Sequence, residues 1–139
     1  MDLATERAQT GVVRLVDYAP TPYRIATVGL DFRLDTEVTM VTAEIRFEAR
    51  EGTPPGTPLA LDGDELVLVE AALDGEPLGT DAYTATPDRF VLTTPPARPF
   101  TLRLVTRLDP AANTKLMGLY RTSGNWCTQC EAEGFRRIT

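Results

Sequence analysis

The sequence has 139 residues, with 14 Lys plus Arg against 20 Asp plus Glu for a formal charge of −6, and with 42% hydrophobic and 24% charged residues, which is the composition of one globular domain able to bury a core and excludes a disordered or collagen-like chain. It contains no His, so a Ser-His-Asp triad, a Cys-His dyad and every zinc site built on imidazole are excluded. The acidic balance provides no basic face for phosphates, no stretch approaches the roughly 18 consecutive apolar residues of a membrane span, and MDLATERAQTG lacks the apolar centre of a signal peptide; the expectation is a soluble, cytoplasmic protein with no nucleic-acid or membrane partner.

Residues 1–12 are polar and aperiodic and read as a flexible lead-in to a single domain over 13–139. The first structural signal is Asp17 to Tyr23, where Pro20 and Pro22 forbid a helix and favour an extended approach to a strand. Val28, Leu30, Phe32 and Leu34 then alternate with polar residues, and Val41, Ala43, Ile45, Phe47 and Ala49 alternate with Thr42, Glu44, Arg46, Glu48 and Arg50. With only a short polar stretch around Asp35-Thr36-Glu37 between them, these two runs predict an antiparallel hairpin of half-buried strands.

EGTPPGTP at 51–58 is a loop that no regular element crosses. Beyond it, the pattern predicts strands at Leu59 to Leu61, Leu66 to Leu73, Ala82 to Ala85, Phe90 to Leu92 and Phe100 to Leu108, the second of them ending in Asp74-Gly75, a dipeptide suited to a tight hairpin because its Gly accepts positive φ. Asp109-Pro110-Ala111-Ala112-Asn113 has an Asp cap followed by Pro at the first position and predicts one helical turn. Many short strands with frequent turn signals and 20 Thr indicate an all-β fold, an antiparallel β-sandwich with at most one or two short helical turns.

Unusual chemistry concentrates in Gly118 to Thr139, which holds the only Trp and both Cys. Cys127-Thr128-Gln129-Cys130 has the spacing of half a zinc site or of a redox dithiol, but a zinc site needs four ligands and no second pair or His exists, while the βαβ setting of a thioredoxin-like protein is missing. Two partly buried thiols on a strand is the plainer reading. Glu131 and Glu133 would share a face on a strand and diverge on a helix, so they form either paired carboxylates at a cleft or a solvated acidic turn. The acidic runs at Asp62 to Glu65 and Asp81 to Asp88 read as surface turns without calcium-loop spacing.

The segment Thr128 to Thr139, TQCEAEGFRRIT, resembles the end of the N-terminal domain of bacterial aminopeptidase N, a family of gluzincin zinc aminopeptidases. Asp17-Tyr18, Pro20 and Pro22-Tyr23 resemble that family's start, Leu59 to Asp64 resembles its L-x-L-D-G-x-D-L piece, and Pro110 to Thr114 with Gly118-Leu119-Tyr120 resembles its P-x-A-N-T and G-L-Y run. The likeness covers most of 14–139. It implies a β-sandwich or saddle-like domain, stopping short of its last strands, from an enzyme that removes N-terminal residues from peptides. It further implies that Glu131 binds the α-ammonium group of a peptide substrate and that Gln129 lines the pocket for the first side chain. An ammonium has three donors and a full charge, which suits a carboxylate, and a neutral amide borders a pocket without imposing a charge preference.

The family's H-E-x-x-H helix with its downstream Glu, its G-A-M-E-N loop and its catalytic Tyr belong to a following domain and do not occur in these residues. The resemblance therefore implies no cofactor in this chain, zinc in the catalytic domain of the parent enzyme, no activity for the chain alone, and peptide substrates met through that other domain. Two readings from other classes stand beside it: a non-enzymatic β-sandwich interaction module that binds partners, or a second copy of itself, through an exposed sheet edge, and a thiol-redox protein using Cys127 and Cys130.

Overall fold

The computed structural model describes residues 14–131. The predicted lead-in at 1–12 and the residues Glu133, Phe135 and Ile138 of the carboxy-terminal motif lie outside the described residues. A short 3-10 turn at Leu15–Asp17 precedes the proline-spaced segment, which then runs extended into strand β1.

The predicted hairpin is formed by β1 (Tyr23–Arg33) and β2 (Thr39–Ala49), antiparallel throughout. β1 begins five residues before the alternation that predicts it. The reason is a bulge between Ile25 and Thr27: the extra residue inverts the side-chain parity, so Ile25 shares a face with Val28, Leu30 and Phe32 although their numbers do not alternate. Arg50 closes the open end of the hairpin, its backbone N–H donating to Pro22 O at 2.9 Å and its Nε to Thr21 O at 3.0 Å.

The remaining predicted strands appear as β3 (Leu59–Asp62), β4 (Val67–Leu73), β6 (Tyr83–Thr86), β7 (Arg89–Leu92) and β8 (Phe100–Leu108). Asp74-Gly75, with φ of 49° and 90°, turns β4 into the two-residue β5 (Glu76–Pro77), as the dipeptide predicts. Two further strands, β9 (Gly118–Thr122) and β10 (Asn125–Gln129), follow. The strands form a five-stranded sheet in the order β1-β2-β8-β4-β5, a three-stranded sheet β3-β7-β6 and a separate two-stranded ribbon β9-β10, with antiparallel pairing in every ladder.

The two larger sheets face each other across one core. Phe47, Phe100, Leu102, Leu104 and Ala71 from the large sheet meet Leu59, Phe90 and Leu92 from the small one. Phe100 stacks on Phe47 with ring centroids 5.6 Å apart and meets Tyr23 edge-on at 6.0 Å, a geometry that adds to area burial alone. Tyr23 Oη donates to Thr57 O at 2.6 Å, tying the 51–58 loop to this cluster. Burial pushes the Tyr23 phenol above its ordinary pKa.

Two expectations are corrected. The Asp109 to Asn113 segment is a hydrogen-bonded turn and not a helix: Asp109 Oδ1 accepts from the N–H groups of Ala111 and Ala112, each at 3.1 Å, after which the chain leaves toward β9. The apolar face of β1 is not half-buried in the core. Ile25, Val28, Leu30 and Phe32 are 43% to 54% exposed, because the three-stranded sheet does not extend over the β1 side. The uncovered space is a groove of about 490 Å³ between the sheets, with walls that include Val28, Leu30, Ile45, Leu68 and Phe90.

Candidate functional site

The two residues singled out for substrate contact lie at the end of the β9-β10 ribbon. Thr122-Ser123-Gly124-Asn125 is a tight turn with Ser123 at φ 49° and Gly124 at φ 81°, the backbone signature that matches the twist of a two-residue hairpin. From that turn the ladder fixes Trp126 opposite Arg121, Cys127 opposite Tyr120 and Gln129 opposite Gly118. The Arg121 guanidinium sits over the Trp126 ring, 5.1 Å from its centroid, a cation–π contact that stiffens the ribbon midway.

The ribbon is tethered at its root by the segment before it. Arg121 N–H donates to Pro110 O at 2.9 Å. Asn113 Nδ2 donates to Met117 O at 2.8 Å and to Leu119 O at 2.9 Å, so one amide satisfies two carbonyls across the bend that starts β9. Lys115 Nζ reaches Asp64 at 2.8 Å and Glu65 at 3.5 Å, and the Asp64 contact raises the Lys115 pKa. A hollow of about 60 Å³ between these groups and Gly118 lies next to the ladder position of Gln129. Sequence reasoning missed these supporting roles of Asn113, Lys115 and Arg121, although Asn113 stands within the P-x-A-N-T piece.

At the ribbon's end, Gln129 Nε2 donates to Glu131 Oε1 at 3.0 Å, and both residues are exposed. The amide orients the carboxylate. An ionised carboxylate has about four acceptor positions, and this hydrogen bond occupies one, leaving the others for a cationic group that brings several donors. Chemically the pair can bind and orient a small cation or ammonium group.

Cys127 is half-buried on β10 and Cys130 is exposed just past it, both as free thiols. Among the described residues no group of three or more His, Cys, Asp or Glu side chains converges as metal ligands, and the full sequence contains no His. The described residues do not fit zinc. Among the described residues, no helix is long and apolar enough to cross a membrane.

No protein-family model matches the chain. Individual proteins do. Aminopeptidase N of Caulobacter vibrioides is 42% identical over 127 residues, 91% of this chain and 14% of that protein. Aminopeptidase N of Escherichia coli is 42% identical over 123 residues, 88% of this chain and again 14% of the relative. The chain thus spans about 14% of the length of the curated relatives it matches. Among solved structures it is similar to Legionella pneumophila aminopeptidase A in complex with aspartic acid, with a TM-score of 0.78 and 28% identity over 90% of this chain and 15% of that one. An M1 zinc metallopeptidase from Deinococcus radiodurans has the same fold, with a TM-score of 0.62 at 18% identity over 86% of this chain and 29% of the other.

Proposed function

Because this chain is a homologue of aminopeptidase N, we propose that it is the substrate-end-recognising part of a zinc aminopeptidase, in which Glu131 takes the α-ammonium group of a peptide and Gln129 borders the pocket for its first side chain. The observation that carries the reading is the Gln129–Glu131 hydrogen bond, which holds an accessible carboxylate at the tethered root of the ribbon, where Gln129 stands opposite Gly118, with most of its acceptor positions open. The ligand named for the Legionella relative, aspartic acid, is a free amino acid and carries the same ammonium group.

Zinc in this proposal is held by another part of the polypeptide, where it would activate water for peptide hydrolysis. The contribution of this chain is selection. A carboxylate meeting an ammonium group in a partly desolvated cleft rewards a free N-terminus and penalises a blocked one, since an acylated amine is neutral and has lost two of its three N–H donors. The cytoplasmic setting belongs to the same proposal and is supported by the two free thiols, which suit a reducing compartment.

The test is catalytic efficiency in an aminopeptidase N that contains this segment. Glu131→Ala removes the charged partner of a desolvated ammonium and is expected to cost about 2 to 5 kcal/mol in transition-state stabilisation, at least roughly 30-fold in kcat/KM. Gln129→Ala removes a neutral amide and is expected to cost about 0.5 to 1.5 kcal/mol. Equal, small losses would remove Glu131 from the site.

A further inference from the structure

We propose that the 139-residue chain self-associates through β1, pairing this edge strand antiparallel with β1 of a second copy about a two-fold axis at Val28, so that the two apolar grooves become one shared core. Among the described residues no strand pairs with the outer edge of β1. That edge is 11 residues long, contains no Pro or Lys, and carries Ile25, Val28, Leu30 and Phe32 exposed beside the groove. A long edge with an uncovered apolar face is a template for another strand.

What selects a second copy as the occupant is that β1 is complementary to itself. Val28 is the midpoint of Tyr23–Arg33, and an axis there keeps the pairing within Tyr23 to Phe32. Counting outward from Val28 against Val28, Thr27 faces Gly29. The bulge between Ile25 and Thr27 then takes up Ala26, so that Ile25 faces Leu30 and Arg24 faces Asp31. Apolar residues meet apolar residues on the groove face, and on the other face two Arg–Asp pairs form by symmetry. Moving the axis one residue, to Gly29, sets Arg24 against Arg33 in both halves. Charge thus chooses between two registers of equal length. Within one chain Arg24 already pairs with Glu48, and Asp31 lies 3.8 Å from Arg33 Nε, so all these charges stay at the solvated rim, where they set register more than affinity.

Sedimentation equilibrium of the purified 139-residue chain tests this. The expected result is a reversible dimer. Arg24→Glu sets like charges opposite each other twice, as does Asp31→Arg, and each variant alone is expected to dimerise about tenfold more weakly. Mixed one to one, the two variants restore both opposite-charge pairs and are expected to form a heterodimer of near wild-type affinity. Val28→Lys, at an already exposed position, brings two ammonium groups together on the axis and is expected to abolish the dimer while circular dichroism stays native. A chain that remains monomeric throughout the concentration range overturns the proposal and leaves the groove to another occupant. Association that ignores the charge reversals, or variants that do not rescue each other on mixing, overturns it equally.

Discussion

Asp74 shows how one side chain closes the large sheet, and its replacement has consequences that can be worked out. It occupies the first position of the β4–β5 turn at φ 49°. Its N–H donates to Thr101 O at 2.8 Å, its Oδ1 accepts from Thr101 N–H at 2.8 Å, and its Oδ2 pairs with Arg98 at 2.6 Å. The Thr101 hydrogen bond, and secondarily Arg98, hold its carboxyl below the ordinary Asp range against the opposing effect of burial. Asp74→Asn keeps the tolerance for positive φ and an acceptor for Thr101, losing only the charge assistance, which amounts to about 1 kcal/mol. Asp74→Ala also loses the acceptor and places a Cβ without a compensating hydrogen bond in the left-handed region; the total is about 2 to 4 kcal/mol. The exposed Arg98 pair adds little to either figure. Because the folded pKa is depressed, the stabilisation is fully present above the unfolded value of about 3.9 and is lost as pH falls through the lower folded value. Urea unfolding at pH 7 and at pH 2.5 measures both effects. The gap between wild type and Asp74→Asn should shrink in acid, and a gap of equal size at both pH values, or an Ala variant no worse than the Asn variant, refutes the reasoning.

Other outcomes follow from single buried groups and from composition. Thr39 is fully buried, and its hydroxyl has no hydrogen-bond partner among the described residues; Thr39→Val, nearly isosteric, should therefore raise stability by about 1 kcal/mol or more in chemical denaturation. Tyr23→Phe strands the Thr57 carbonyl and should cost about 0.5 to 1.5 kcal/mol. The Tyr23 phenol has a raised pKa in the folded state, so its contribution should hold below about pH 10 and fade as pH rises through the folded value, which alkaline unfolding of wild type and variant would reveal. Elemental analysis of the purified chain should find no stoichiometric zinc, since it has no His and two Cys; one zinc per chain, lost on Cys127→Ser, would contradict this.

The legible parts of the fold were those where one local rule acted alone. The β2 and β8 alternations and the Asp74-Gly75 turn each specify their element through side-chain period or positive φ. The start of β1 was hidden because the bulge after Ile25 breaks the period of two, and the exposure of its apolar face depends on how far another sheet extends, which no local pattern encodes. The β9-β10 ribbon was signalled only by Ser123-Gly124, a turn dipeptide between strands too short to establish a period. At the candidate site, Gln129 and Glu131 are two polar residues on an exposed ribbon end, and spacing alone does not separate them from a solvated turn. The TQCEAEGFR resemblance singled them out, and the hydrogen bond between them is a local side-chain contact that depends on how the chain leaves β10, which residue type and spacing do not encode.

The central proposal, that Glu131 recognises a free α-amino group, is tested most directly by a ligand pair. In an aminopeptidase N containing this segment, an amino-acid product and its des-amino carboxylic acid differ only in the ammonium group, and calorimetric affinities for both, in wild type and in Glu131→Ala, close a thermodynamic cycle. The predicted result is that wild type prefers the amine strongly and that Glu131→Ala removes most of this preference while leaving des-amino affinity nearly unchanged. An undiminished preference in the variant would contradict the assignment and place amine recognition elsewhere.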